Sequence, residues 1–167
     1  AIRFNEQTVR TMGRNATGVR AMRIDEGDEV IGMVSVCNPE KDTVLVVSDQ
    51  GYGKRSDVED YRITNRGGKG VKTMNITDKT GKLVALKVVN DEDDLMIINV
   101  SGITLRLHTS DIRVMGRATQ GVRLINLSKR GDTIASICRV PREDEENINA
   151  ETSEATTEDS DQPENDN

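Results

Sequence analysis

The sequence predicts an all-β fold built from repeated, propeller-like blades of four antiparallel strands, and three observations carry that prediction. The chain repeats itself: the dipeptide Gly-Val recurs at Gly18-Val19, Gly70-Val71 and Gly121-Val122, in steps of 52 and 51 residues, and Gly51 and Gly102 are again 51 apart. Four basic columns fall into register at those offsets: Arg3/Arg55/Arg106, Arg10/Arg62/Arg113, Arg14/Arg66/Arg117 and Arg20/Lys72/Arg123, beside the apolar column Val9/Tyr61/Ile112. Third, the apolar residues recur with strand rather than helix spacing, and no segment shows a helical period. A repeat of about 50 residues holding four strands is the size of one propeller blade.

Ile2, Arg3 and Phe4 align with a fourth strand, so the chain starts at the end of a blade. The first full repeat is expected to supply strands at 19–24, 30–36, 43–48 and 52–58. The middle repeat supplies 71–76, then 83–89 after a polar turn containing Gly81, then the acidic turn Asp91-Glu92-Asp93-Asp94. Its third strand, 95–100, is almost continuously apolar, as a strand buried on both faces should be. After the tight turn Ser101-Gly102, Ile103, Leu105 and Leu107 alternate with Thr104, Arg106 and His108, the pattern of a half-buried strand. The third repeat offers only 122–127 and 133–140 before Pro141. Residues 1–141 therefore amount to the end of one blade, two full blades and half of another. Such a set does not close a ring, and the missing blades are expected upstream.

Composition sharpens the reading. Hydrophobic residues make up 34% and aromatics 2%, with no Trp, so the core must be aliphatic. The formal net charge of −6 would argue against a polyanionic partner. It conceals two segments: residues 1–141 carry 22 basic and 18 acidic side chains, whereas 142–167 carry one basic and 11 acidic. A mildly basic body is thus masked by an acidic tail. The tail, rich in Glu, Asp, Asn, Ser and Thr, is expected to be disordered because it cannot bury enough apolar surface to offset ordering entropy. Cys37 and Cys138 stand alone in apolar runs and read as reduced structural thiols. One His cannot complete a zinc site; His108 reads as an exposed strand residue and Asp91, Glu92, Asp93 and Asp94 as a solvated turn. No apolar run approaches the ~20 residues needed to span a bilayer, and a cytoplasmic location is expected.

Residues Arg66, Gly67, Gly68, Lys69 and Gly70 resemble the signature box of a known family, the C-terminal DNA-wrapping domain of the A subunit of bacterial DNA gyrase. That box reads Gln-Arg/Lys-Arg-Gly-Gly-Arg/Lys-Gly. Segments 9–20, 51–55 and 116–122 are similar to that family as well, and the resemblance runs to about residue 141. It corresponds to the C-terminal half of such a domain. Thr64 and Asn65 depart from the box, which is therefore partial. The resemblance implies a β-pinwheel, in which neighbouring blades exchange a strand and duplex DNA wraps a basic rim, nucleoid-associated and in a direction that favours negative supercoiling. It implies partners too: gyrase B and the cleavage core of gyrase A, in an assembly of two A and two B subunits, with Mg2+ and ATP acting elsewhere in the holoenzyme. No cofactor, metal or catalytic residue is expected in this chain.

The candidate DNA-contacting residues are the loop column Arg14, Arg66 and Arg117 with Lys69, then Arg20, Lys72 and Arg123, then Arg10, Arg62 and Arg113. Recurrent positive charge with no base-reading pattern suits phosphate neutralisation, and the glycines would supply positive-φ turns and backbone N–H groups near phosphate oxygens. The competing reading is structural: a residue that recurs in each repeat can recur because the blade needs it. The loop arginines could pair with acidic neighbours and pin adjacent blades, and Arg3, Arg55 and Arg106 could form a solvated strand face. Two other classes fit parts of the pattern. The wrapping domain of topoisomerase IV has fewer blades and lacks a full box. A kelch-like protein-interaction propeller shares the period but expects aromatic residues that this chain lacks. The acidic tail could also mimic DNA and compete for the rim.

Overall fold

A computed structural model describes residues 1–127 and 131–141. It contains seven strands: β1 (Thr43–Ser48), β2 (Tyr52–Asp57), β3 (Leu83–Val89), β4 (Asp93–Asn99), β5 (Thr104–His108), β6 (Val122–Arg123) and β7 (Ile134–Pro141). Three one-turn 3-10 helices, Glu6–Thr8, Val58–Asp60 and Thr109–Asp111, occupy equivalent places after the fourth strand of successive repeats. The tail at 142–167, expected to be disordered, lies outside the described residues.

The strands form two antiparallel sheets, in the orders β3-β1-β2-β6 and β5-β4-β7. Neither sheet is built from one repeat. The second strand of each repeat leaves its own unit and pairs with the third strand of the preceding one: β3 lies against β1, with Val46 opposite Leu86, and β7 against β4, with Ile97 opposite Ile137. The first strand travels further. β6, from the third repeat, pairs with β2 of the first through Gly53 opposite Val122, and Val71 exchanges two backbone hydrogen bonds with Ala1 in the equivalent way (2.7 and 2.8 Å).

This rule explains which predicted strands are not formed. Residues 19–24 and 30–36 require third and fourth strands of repeats earlier than the first, and the chain contains none. A strand without a partner leaves its backbone groups unpaired and gains no ladder; here Val30 and Met33 stand 60% and 88% exposed. Residues 71–76 have only the end of a partner, the Ala1 pairing, and do not form a strand; 122–127 shortens to β6. The segment 2–4 is reduced to one isolated bridge, Arg3 to Ile63.

The core follows the alternation of β1. Leu45 and Val47 point into a cluster with Val89, Leu95, Ile97, Ile112, Leu127, Ile134 and Ile137, which draws on both sheets. Val44 and Val46 point the other way, to Tyr52, Val58, Tyr61 and Met74. A strand with apolar neighbours on both faces must be apolar throughout, and all six residues of β1 are buried. Full burial of each Leu or Val contributes about 1.5–3 kcal/mol.

Two further expectations are corrected. Cys37 and Cys138 are both exposed rather than buried structural thiols. The acidic run is not all turn, because β4 begins at Asp93, and Asp93 and Asp94 are buried. Asp94 accepts a hydrogen bond from Arg106 Nε (2.7 Å) and lies 2.6 Å from His108 Nδ1. These two neighbours, His108 foremost, hold its carboxyl below the usual range.

Candidate nucleic-acid interface

The recurrent cations divide into two groups that their spacing alone does not separate. In the strand column Arg3 and Arg55 turn inward, whereas Arg106 is exposed as a solvated face would have it. Arg55 is 5% exposed; its Nε donates to the Ile112 carbonyl (2.7 Å) and its Nη1 to Asp91 (2.6 Å). Arg3 does the same one repeat earlier, with Nη1 donating to the Tyr61 carbonyl (3.2 Å), to that of Val58 (3.0 Å) and to Glu59 (3.1 Å). Each arginine thus grips the main chain at the apolar column residue that anchors the next loop. Its own carbonyl completes the grip: Arg3 O accepts from Thr64 N, and Arg55 O from Met115 N, both at 2.9 Å. Arg106 instead donates from Nε to Asp94 (2.7 Å).

Arg62 and Arg113 are the next residues along those gripped segments. Tyr61 and Ile112 are buried, whereas Arg62 and Arg113 are exposed. Alternation along an extended backbone puts consecutive side chains on opposite sides, so the clamp inside fixes the charge outside. Arg10 is exposed at the equivalent position of the first repeat. Among the described residues, Arg10, Arg62 and Arg113 make no ion pair or side-chain hydrogen bond.

The loop column has a mixed role. Arg66 Nη1 donates to the Arg20 carbonyl and its Nε to that of Thr8, both at 3.3 Å. Arg117 Nη1 donates to the Lys72 carbonyl (2.7 Å), and its backbone N–H to Asp60 (3.2 Å). Since Arg20 and Lys72 are themselves repeat equivalents, each loop arginine ties its loop to the first segment of the preceding repeat. The guanidinium is bound by a carbonyl rather than by the acidic side chain considered from the sequence. The glycine loop is stitched to the same segment: Gly67 N donates to Ala21 O (2.6 Å) and Arg23 N to Gly68 O (2.8 Å). The Gly67 N–H is therefore already engaged rather than free for a phosphate oxygen. Arg14 is exposed and, among the described residues, has no such partner.

The stitching places Arg66 against the backbone of Arg20 and Arg117 against that of Lys72. Lys69 forms an exposed ion pair with Asp25 (3.0 Å), and Lys72 Nζ donates to Asn75 (3.0 Å). Arg123 lies on β6, where its Nη2 donates to the Tyr52 hydroxyl (2.9 Å). Gly121 shows why the Gly-Val repeat needs glycine: φ is +79°, and an added Cβ would sit 2.7 Å from the Gly53 carbonyl oxygen.

Lys54 lies outside the four basic columns. It is fully buried, and its Nζ donates to the Gly116 carbonyl (2.7 Å), at the start of the Arg117 loop. Burial brings its pKa down to about 8, opposed by the Asp60 carboxylate and aided by the nearby Arg117. Its repeat equivalents are Ile2 and Leu105, and that apolar column was the available sign of an inward-facing position. Among the described residues, no group of three or more His, Cys, Asp or Glu could hold a metal ion, and no helix is long and apolar enough to cross a membrane.

Comparison with known proteins identifies this arrangement. A family model described as the DNA gyrase C-terminal domain, beta-propeller, matches residues 1–37, 42–90 and 93–140. The A subunit of DNA gyrase from Staphylococcus aureus strain NCTC 8325 / PS 47 is 45% identical over 158 residues, covering 93% of this chain and 18% of that protein. The same subunit from strain MRSA252 is 46% identical over 158 residues, with 95% and 18% covered. The chain therefore spans about a fifth of the length of these curated relatives. Among solved structures, a DNA gyrase A C-terminal domain superposes with a TM-score of 0.74 at 27% identity, over 81% of this chain and 45% of that one. The C-terminal domain of DNA topoisomerase IV superposes at 0.77 with 21% identity, over 92% and 47%, a likeness of fold. Strand exchange between repeats, the Gly-Val period and the family match agree, and the chain belongs to the DNA gyrase C-terminal domain family of β-propellers.

Proposed function

We propose that this chain binds duplex DNA without regard to sequence and wraps it, as the non-catalytic DNA-handling part of an ATP-dependent type II topoisomerase that introduces negative supercoils. The observation that supports it best is the mounting of Arg62 and Arg113 on segments gripped from behind by Arg3 and Arg55. An exposed cation with no counterion among the described residues, held in a fixed place, is suited to phosphate neutralisation. Repetition of that unit from blade to blade lets a surface follow a curved duplex. Bending the duplex costs on the order of 1–6 kcal/mol for 40–90° over a short site, and a series of phosphate contacts offsets it.

Family membership favours gyrase over topoisomerase IV, and both over a kelch-like interaction propeller. In this reading the partners are duplex DNA, gyrase B and the cleavage core of gyrase A in the cytoplasm, while ATP and Mg2+ act on those other parts. The test is fluorescence anisotropy with several random-sequence duplexes. Affinity should be equal across sequences and fall steeply between roughly 50 and 200 mM salt. Flat affinity over that range, or binding confined to one sequence, would sink the proposal.

A further inference from the structure

Tyr52, Lys79 and Arg123 form a cluster that the basic columns do not account for. Tyr52 sits at the start of β2, and two cations lie over its ring: the Arg123 guanidinium carbon is 5.4 Å and the Lys79 ammonium 5.7 Å from the ring centroid. The three residues line a cavity of about 270 Å³, together with Gln50, Asp78 and Asn126. Among the described residues neither cation forms a salt bridge, including with Asp78. Their charges are instead placed against an aromatic face, which stabilises a cation without neutralising it.

We infer that this cavity is a site for a phosphate group, held by Lys79, Arg123 and the Tyr52 hydroxyl. Arg123 Nη2 donates to the phenol oxygen at 2.9 Å, which leaves the phenol proton to be donated to an incoming oxyanion. The same hydrogen bond holds the Tyr52 pKa below its ordinary value, making that proton a better donor. One hydrogen bond links the site to the Arg117 loop. Gln120 Nε2 donates to Thr77 Oγ1 (3.0 Å), joining the Arg117 loop to the turn that carries Lys79. A phosphodiester of a duplex lying along Lys72 and Arg117 would reach the cavity next. The inference rests on the duplex-binding proposal and adds to it two contacts, Tyr52 and Lys79, that have no counterpart in the repeat columns.

The chain offers a local readout, because it holds only two tyrosines. With 13C in the tyrosine rings, the full chain gives two sets of ring signals, and Tyr61→Phe assigns them. Added duplex should move the Tyr52 signals along the binding isotherm and leave those of buried Tyr61 in place. Lys79→Gln and Arg123→Gln should each lower the salt slope of duplex binding by about 1 without changing the urea midpoint. Pyrophosphate, in a separate titration, distinguishes a duplex phosphodiester from free phosphate: movement with pyrophosphate but not duplex assigns the cavity to small phosphates. Duplex binding with a stationary Tyr52 signal and wild-type slopes in both variants overturns the inference and leaves the duplex proposal standing. Absence of duplex binding overturns the proposal itself.

Discussion

Arg55 and Arg113 recur with the same 51–52-residue period, yet the fold gives them opposite settings. Arg55 is buried and commits its guanidinium to the Ile112 carbonyl and to Asp91. Arg113, one residue beyond that carbonyl, is exposed and, among the described residues, unpaired. Recurrence in a repeat protein therefore marks two things, the parts that hold one blade to the next and the parts each blade presents outward. Here the first kind positions the second.

The contrast is sharpest where it can be broken. Replacing Arg55 by Met strands the buried Ile112 carbonyl and removes a charge-assisted bond, and should cost roughly 3 kcal/mol of stability, read as a lower urea midpoint. Arg113→Ala should leave that midpoint within about 0.5 kcal/mol while lowering the salt slope of duplex binding. Gly121→Ala comes next. It combines a positive φ with an approach to the Gly53 carbonyl, whereas Gly18 has the same φ sign but open space around it. Gly18→Ala should cost about 1 kcal/mol, the penalty of the left-handed conformation, and Gly121→Ala at least about 1 kcal/mol more, both measured by denaturant titration. Arg117→Ala should fall between the two kinds of arginine, losing about 1 kcal/mol with its bond to the Lys72 carbonyl and also weakening duplex binding.

Lys54 gives a pH signature. Its folded pKa, about 8, is below the ordinary 10.5, so the unfolded chain binds this proton more tightly. Its contribution to stability should therefore rise as pH increases from about 8 towards 10.5, and be least favourable below 8. Urea midpoints measured across that window should climb, and Lys54→Met should flatten the climb. An unchanged climb in the variant would mean that another group is responsible. The smallest effect belongs to Lys69→Ala, which removes an exposed ion pair with Asp25 worth at most about 1 kcal/mol; its thermal midpoint should barely move.

Much of this was legible in the residues. The period, the strands β1, β3 and β4, the alternation of β5 and the blade size all follow from apolar spacing, because those strands find partners within the chain. The segments 19–24 and 30–36 carry equally good strand patterns, but a pattern specifies a face and not a partner, and they find none among the described residues. The clamp role of Arg3 and Arg55 was not legible, since a periodic arginine on an alternating strand reads as a solvated one. Its sign is relational: the charge lies against the main chain of a residue 57 or 58 positions away. Lys54 was hidden because one lysine replaced an otherwise apolar column. Tyr52 and Lys79 meet Arg123 only because the first strand of the third repeat crosses to the fourth strand of the first.

The central claim is that the outward arginines Arg10, Arg62 and Arg113 neutralise duplex phosphates, with Arg62 and Arg113 held in place by the inward Arg3 and Arg55. Its most direct test is the slope of log affinity against log salt for the chain and for the triple variant Arg10→Ala, Arg62→Ala, Arg113→Ala. The slope should fall by about 2.7, close to 0.9 for each phosphate no longer neutralised, with the urea midpoint unchanged. A triple variant with the original slope would contradict it.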